Sequence, residues 1–240
     1  MKAYDPNAPL ISLHIPKCAG QSFMRILRMW FKDNFRPHYL QLRGVPPPRH
    51  DLEPGICIHG HFNRAKGIGV PDYYPAVSQF ITVLRDPLEA AVSNYFYWKT
   101  RARERQIKSA KIRQGSEGDY KDIDDFFRKR PRSHVWKFMP CDLTSDNYRN
   151  IVKSRFLWIG VVECLQSSVD LLADILGFDK IEIPRINPSI RDEELKPEIK
   201  EAFIARNSLE FAIYDHACEL LRQQGVYSER GMQKTGGWAV

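Results

Sequence analysis

The stretch Leu10–Phe23, LISLHIPKCAGQSF, decides the reading of this chain. Leu10 to Ile15 is short, apolar and rich in Ile and Leu, as a buried strand is. Pro16-Lys17-Cys18-Ala19-Gly20-Gln21-Ser22 then turns, and from Phe23 to Trp30 the apolar residues take the spacing of an amphipathic helix. A strand feeding a tight loop at a helix N-terminus aims several unpaired backbone N–H groups at one point, and such a point favours an anion. Lys17 adds a mobile positive charge, and Gly20 permits close backbone approach. The order is not GxxxxGK[ST]: the lysine precedes the glycine, and no Lys-Ser or Lys-Thr pair follows to hold magnesium. Taken alone, the loop reads equally well as a phosphate- or sulfate-binding device and as a plain turn with a solvated lysine.

A second segment shifts that balance. Phe80-Ile81-Thr82-Val83-Leu84 is another apolar, β-branched strand, and it ends in Arg85-Asp86-Pro87. Pro87 suits a first helical turn, where its missing N–H is not needed. Ser93 lies about two turns into the helix, where a hydroxyl often has a partner other than the helix itself. Arg85 at a strand end can grip a phosphate with its planar fork. A third strand, Ile56-Cys57-Ile58, ends in His59-Gly60-His61. Histidine can accept a proton near neutrality, its unperturbed pKa being about 6.5. A metal pair would need further ligands, which no nearby Cys or His cluster supplies; two hydrogen-bonded structural histidines are the other alternative.

PKCAGQSF and LRDPLEAAVSNYF together resemble the two cofactor signatures of sulfotransferases that use 3′-phosphoadenosine-5′-phosphosulfate (PAPS). The resemblance implies an α/β, P-loop-NTPase-like three-layer fold, with a central parallel sheet flanked by helices. It implies that Lys17 and the loop Cys18, Ala19, Gly20, Gln21, Ser22 and Phe23 hold the 5′ end of PAPS, and that Arg85 and Ser93 hold its 3′-phosphate. The chain departs from the pattern where many relatives carry Thr at the place of Cys18, and Thr or Ser at that of Gln21. The His-Gly-His strand end resembles that of carbohydrate 2-O-sulfotransferases, which implies His61 as general base with His59 as an accessory group. The chemistry implied is in-line sulfuryl transfer to an acceptor hydroxyl with no metal, Lys17 steadying the leaving group and adenosine 3′,5′-bisphosphate (PAP) as product. A kinase-like phosphotransferase would need a magnesium ligand set that the loop lacks; a non-catalytic nucleotide- or polyanion-binding module remains a rival.

At 240 residues, the chain has the length of one α/β domain spanning 1–240. Its 43% hydrophobic and 12% aromatic content is that of a globular protein. No run is long and apolar enough to span a bilayer, and MKAYDPNAP is no signal peptide. Cys18, Cys57, Cys141, Cys164 and Cys218 are scattered and odd in number, so a reducing cytoplasm is the simpler expectation, with a trimmed luminal domain as the alternative. A thiol beside Lys17 and a helix N-terminus would have a lowered pKa. The net charge of +7 gathers at Lys99, Arg101, Arg103, Arg105, Lys108, Lys111 and Arg113, opposed only by Glu104. That segment, an insertion at about 99–118, reads as a solvated helix or as an attractor of an acidic glycan acceptor. No nucleic-acid motif accompanies it.

Strands alternating with helices predict a parallel sheet covered on both faces, with ligands beyond the strand C-termini. Residues 36–54, rich in proline, read as a connector, and a helix is expected around Tyr120–Arg130 with Ile123, Phe126 and Phe127 on one face. Phe156–Val162 reads as a core strand. Glu163 after it either caps the next helix or orients a lysine, and Gly177 suits the end of that helix. His134 and Trp136 read as surface loop residues. Residues 186–191 resemble a loop that closes over the cofactor, with Arg191 reaching a phosphate, and a last helix runs from Asn207 to near Gly225. The tail at about 230–240 is expected to be mobile.

Overall fold

The computed structural model describes residues 3–108, 120–133, 135–183 and 191–227. Strands β1 (Leu10–Leu13), β2 (Phe35–His38), β3 (Cys57–Gly60), β4 (Gln79–Leu84) and β5 (Phe156–Val161) form one parallel sheet in the order β2-β3-β1-β4-β5. β1, β3, β4 and β5 are buried along their whole length. A strand covered on both faces must be a near-continuous apolar run, which is why these four stand out in the sequence. β2 corrects the expected connector at 36–54. Its motif FRPH carries Pro37, which lacks a ladder donor but is tolerated because β2 lies at the sheet edge.

Helices α1 (Gly20–Phe31), α2 (Val70–Tyr73), α3 (Pro87–Lys108), α4 (Ile123–Lys129), α5 (Tyr148–Arg155), α6 (Leu165–Leu176), α7 (Pro197–Arg206) and α8 (Ser208–Gln223) flank the sheet. None is long and apolar enough to cross a membrane among the described residues. α1 begins at Gly20, three residues before its first large apolar residue, and buries Phe23, Ile26, Leu27 and Trp30. Phe23 stacks on Trp158 of β5 with ring centroids 5.6 Å apart. A buried aromatic of this kind contributes about 1.5–3 kcal/mol, and here it ties the helix after the first loop to the far edge of the sheet. Ile123, Phe126 and Phe127 of α4 pack with Tyr95, Phe96 and Phe203 in a second cluster joining α3, α4 and α7.

The described part of the basic segment is helical, the continuation of α3 to Lys108. Lys99 pairs with Asp192 at 2.6 Å and Glu193 at 2.7 Å, carboxylates distant in sequence, so Glu104 is not the only opposing charge. Lys111, Arg113, residues 114–118, His134, most of the loop 186–191 and the tail at 230–240 lie outside the described residues.

Candidate active site

Three adjacent strands deliver the expected residues to one end of the sheet. Cα partners in β1 and β3 run from Leu10↔Cys57 to Leu13↔Gly60, so His14 and His61 leave the sheet side by side. His14 N donates to the Gly60 carbonyl at 2.8 Å, and His61 Nδ1–H donates to the His14 carbonyl, also at 2.8 Å. A carbonyl only accepts, so the second bond sets the His61 tautomer: Nδ1 carries the proton and Nε2 keeps its lone pair. Burial holds the pKa of His61 below its ordinary value, which keeps that lone pair available at neutral pH.

The dyad is packed by rings. His14, which sequence reasoning passed over, stacks on His61 at 4.3 Å and on His59 at 5.2 Å. Its Nδ1 is hydrogen-bonded to the Tyr39 hydroxyl at 2.7 Å. Gly20 exists for this ring, since a Cβ there would lie 1.7 Å from His14 Nε2. Gly60 is required by the neighbouring strand: its Cβ would meet the His38 carbonyl oxygen at 1.8 Å. Desolvation pushes His14 down to about 2 and His59 to about 3, so both are neutral. His59 is fully buried with Nδ1 bonded to Ser12 Oγ at 2.9 Å. His59, expected as an accessory group, thus sits inside the stack, against the His14 ring and the Ser12 hydroxyl.

The loop after β1 is shaped by two left-handed residues, Lys17 at φ 69° and Ala19 at φ 54°. Ala19 precedes α1 and offers no side-chain cap, and the first turn holds no acidic residue. Cys18 and Phe23 of the expected donor loop turn their side chains into the core. Cys18 N donates to Ile15 O and its thiol is buried, while Phe23 N donates to Ala19 O and its ring lies in the core. Burial raises the Cys18 thiol to about 12, the reverse of the expected lowering. Lys17, Ala19, Gly20, Gln21 and Ser22 remain at the helix start; Gln21 is exposed and Ser22 buried.

Arg-Asp-Pro at the end of β4 has a full local account. Asp86 Oδ1 accepts from Glu89 N at 2.9 Å, capping α3, and Pro87 is its first residue. Asp86 N donates to Glu163 Oε1 at 3.1 Å, so Glu163 braces this turn; Cys164, not Glu163, stands at the N-cap of α6. Arg85 Nη1 donates to the Lys17 carbonyl at 3.4 Å, joining the two motifs.

From Arg85 a stripe continues along α3 at four-residue spacing through Glu89, Ser93, Tyr97 and Arg101, one face of a helix. Glu89 pairs with Arg85 at 3.5 Å and with Arg191 at 2.9 Å. Ser93 is buried, and the Tyr97 ring carries the Lys17 ammonium 4.3 Å from its centroid. Tyr97 escaped the sequence reading, although its spacing from Ser93 was the available signal. Burial and the nearby Arg85 bring Lys17 down to about 8. Two neighbouring cations at an uncapped helix start, with no carboxylate within ion-pair distance of Lys17 among the described residues, suit an anion. Phosphate and sulfate oxygens fit that description.

A model of the sulfotransferase family matches residues 3–223. No curated protein sequence matches the chain. Among solved structures, mouse sulfotransferase SULT7A1 complexed with PAP is similar in fold, with a TM-score of 0.53 and 11% identity over 93% of this chain and 89% of that one. With the family match spanning nearly the whole chain, this protein belongs to the sulfotransferase family and is a PAPS-dependent sulfuryl-transfer enzyme.

Proposed function

We propose that the enzyme sulfates a hydroxyl of a carbohydrate, with His61 as general base, Lys17 and the start of α1 on the 5′ end of the donor, and Arg85 and Ser93 on its 3′-phosphate. When bound, PAPS supplies the activated sulfuryl group. The observation that carries the reading is the bond from His61 Nδ1–H to the His14 carbonyl, because it leaves Nε2 as the atom that takes the acceptor proton. Lys17 brings a cation to the loop where negative charge gathers as the bridging oxygen departs. Its backbone is held by Arg85 while its ammonium rests on a π face, free to turn toward an oxygen. Sulfuryl transfer asks little covalent work of the protein, so positioning and charge do most of it.

The carbohydrate acceptor is supported by the likeness of the His59-Gly60-His61 strand end to carbohydrate sulfotransferases. The test is transfer of radiolabelled sulfuryl group from PAPS to a panel of glycans, phenols and small alcohols. His61→Ala should abolish transfer and leave the PAP dissociation constant within about twofold. Loss of both together would remove the base assignment, and transfer to phenols alone would remove the carbohydrate. A kinase-like enzyme would instead prefer ATP with magnesium in calorimetric titration.

A further inference from the structure

A cleft of about 270 Å3 opens among Arg64, Arg132, Trp136, Asp142, Arg206 and Glu210. It is smaller than the ~300–1,000 Å3 of a closed ligand pocket, the right scale for one group of a longer molecule. The cleft borders the base. Arg64 lies three residues beyond His61, and its short 3-10 turn Arg64–Lys66 packs against the 3-10 turn Val135–Phe138. Phe138 of that turn sits 5.7 Å from the His61 ring, and Trp136 of the same turn is exposed.

Arg64 is seated by its neighbours, and the backbone under the other two arginines is tied together. A Cβ on Gly69 would come within 2.4 Å of Arg64 Cγ, so the bare glycine makes room for the Arg64 stem. Asn207, almost fully buried, binds two segments together. Its Oδ1 accepts from Ser133 N at 2.6 Å, and its Nδ2 donates to the Pro131 and Phe203 carbonyls at 2.9 and 2.7 Å. That rivet sets Arg132 beside the end of α7, where Arg206 stands. Three guanidinium groups face two carboxylates, an excess of one positive charge. Arg64 Nη2 donates to Asp142 Oδ1 at 2.6 Å, but the Asp142 side chain is 83% exposed. Arg64 Nη1 is buried with no hydrogen-bond partner among the described residues.

We infer that this cleft is the acceptor subsite and that it takes a saccharide ring bearing a carboxylate or a sulfate. The guanidinium forks bind the anion, the indole of Trp136 takes the apolar face of the ring, and Asp142 holds Arg64 until the ligand anion replaces it. The inference rests on the reading of His61 as base, which fixes the side from which an acceptor comes.

The probes are three oligosaccharides of equal length: an unsulfated one with uronate carboxylates, a neutral one carrying sulfate, and one with neither. Each is titrated calorimetrically into the full chain with and without PAP. Anionic probes should bind at least about tenfold tighter than the neutral one, and whichever binds better names the anion. Arg64→Ala and Arg206→Ala should each cost the anionic probes about tenfold and spare both the neutral probe and PAP. Arg64→Lys separates loss of the fork from loss of the packed stem, and Asp142→Asn should tighten anion binding. Equal binding of all three probes, variants that weaken every ligand alike, or a preference for an acidic peptide would overturn the assignment. Failure of the unaltered chain to bind PAP, with anion binding retained in the cleft, would instead count against the donor reading alone.

Discussion

Replacing Gly20 by alanine tests whether the histidine stack and the donor loop form one unit. The new Cβ would lie 1.7, 2.0 and 2.3 Å from His14 Nε2, Cδ2 and Cε1. An ordinary contact of about 3.5–4.0 Å requires the ring or the helix start to shift by about 2 Å. The ring has little room, because His61 stacks on it at 4.3 Å and Tyr39 is bonded to it at 2.7 Å. Overpacking costs about 1–3 kcal/mol, and losing the Tyr39 bond costs about 1 kcal/mol more. The gain in helix propensity from Gly to Ala offsets at most about 1 kcal/mol. A net loss of about 1–3 kcal/mol should appear in urea denaturation, and weaker PAP binding should accompany it because α1 starts at the displaced residue. Adding His14→Ala removes the obstacle, so Gly20→Ala should cost much less in that background. A neutral or stabilising Gly20→Ala, or an equal cost in both backgrounds, would refute the packing argument.

Acid should destabilise the fold. His14, His59 and His38 fold with pKa values near 2, 3 and 4, below the unfolded value, so the unfolded chain takes up the extra protons and stability falls as pH drops below about 6.5. Over that range only the unfolded chain takes up these protons, so urea midpoints at pH 5.5 should lie below those at pH 8. Lys17 must keep its proton to hold an anion, and PAP affinity should fall as pH rises through about 8 in the free enzyme. Arg85→Ala should weaken PAP by about tenfold or more, a charge-assisted bond being worth about 1.5–3 kcal/mol, whereas Glu89→Gln should tighten it by freeing Arg85 and Arg191. Iodoacetamide at pH 8 should leave Cys18 unmodified in the native protein, as read by peptide mass spectrometry, because the thiol is buried.

β1, β3, β4 and β5 were readable because burial on both faces demands unbroken apolar runs, and β2 was hidden because its Arg36 and Pro37 are not buried and break such a run. The gathering of Lys17, Arg85 and His61 where strands end was legible from their motifs, as was the place of Ser93 on the helix after β4. His14 and Tyr97 were not, since their roles arise from partners: the ring of His14 matters through Gly20 and His61, and Tyr97 through the ammonium above it. Cys18 shows the opposite failure. Nearby positive charge argued for a reactive thiol, but desolvation outweighs that charge once the side chain is buried. Glu163, 77 residues from the turn it braces, could be placed only by the fold.

The strand order has a consequence for synthesis. β1 is the middle strand of the sheet, yet it leaves the ribosome before either of its neighbours, β3 and β4. Until about residue 60 has emerged LISL offers two unsatisfied edges to any other nascent chain, and until about residue 84 one edge stays open. Chains halted before β4 should therefore aggregate or be retained by chaperones, whereas chains halted beyond it should hold β1 between both partners. The segment that organises the donor loop in the finished enzyme is the most vulnerable part of the unfinished one.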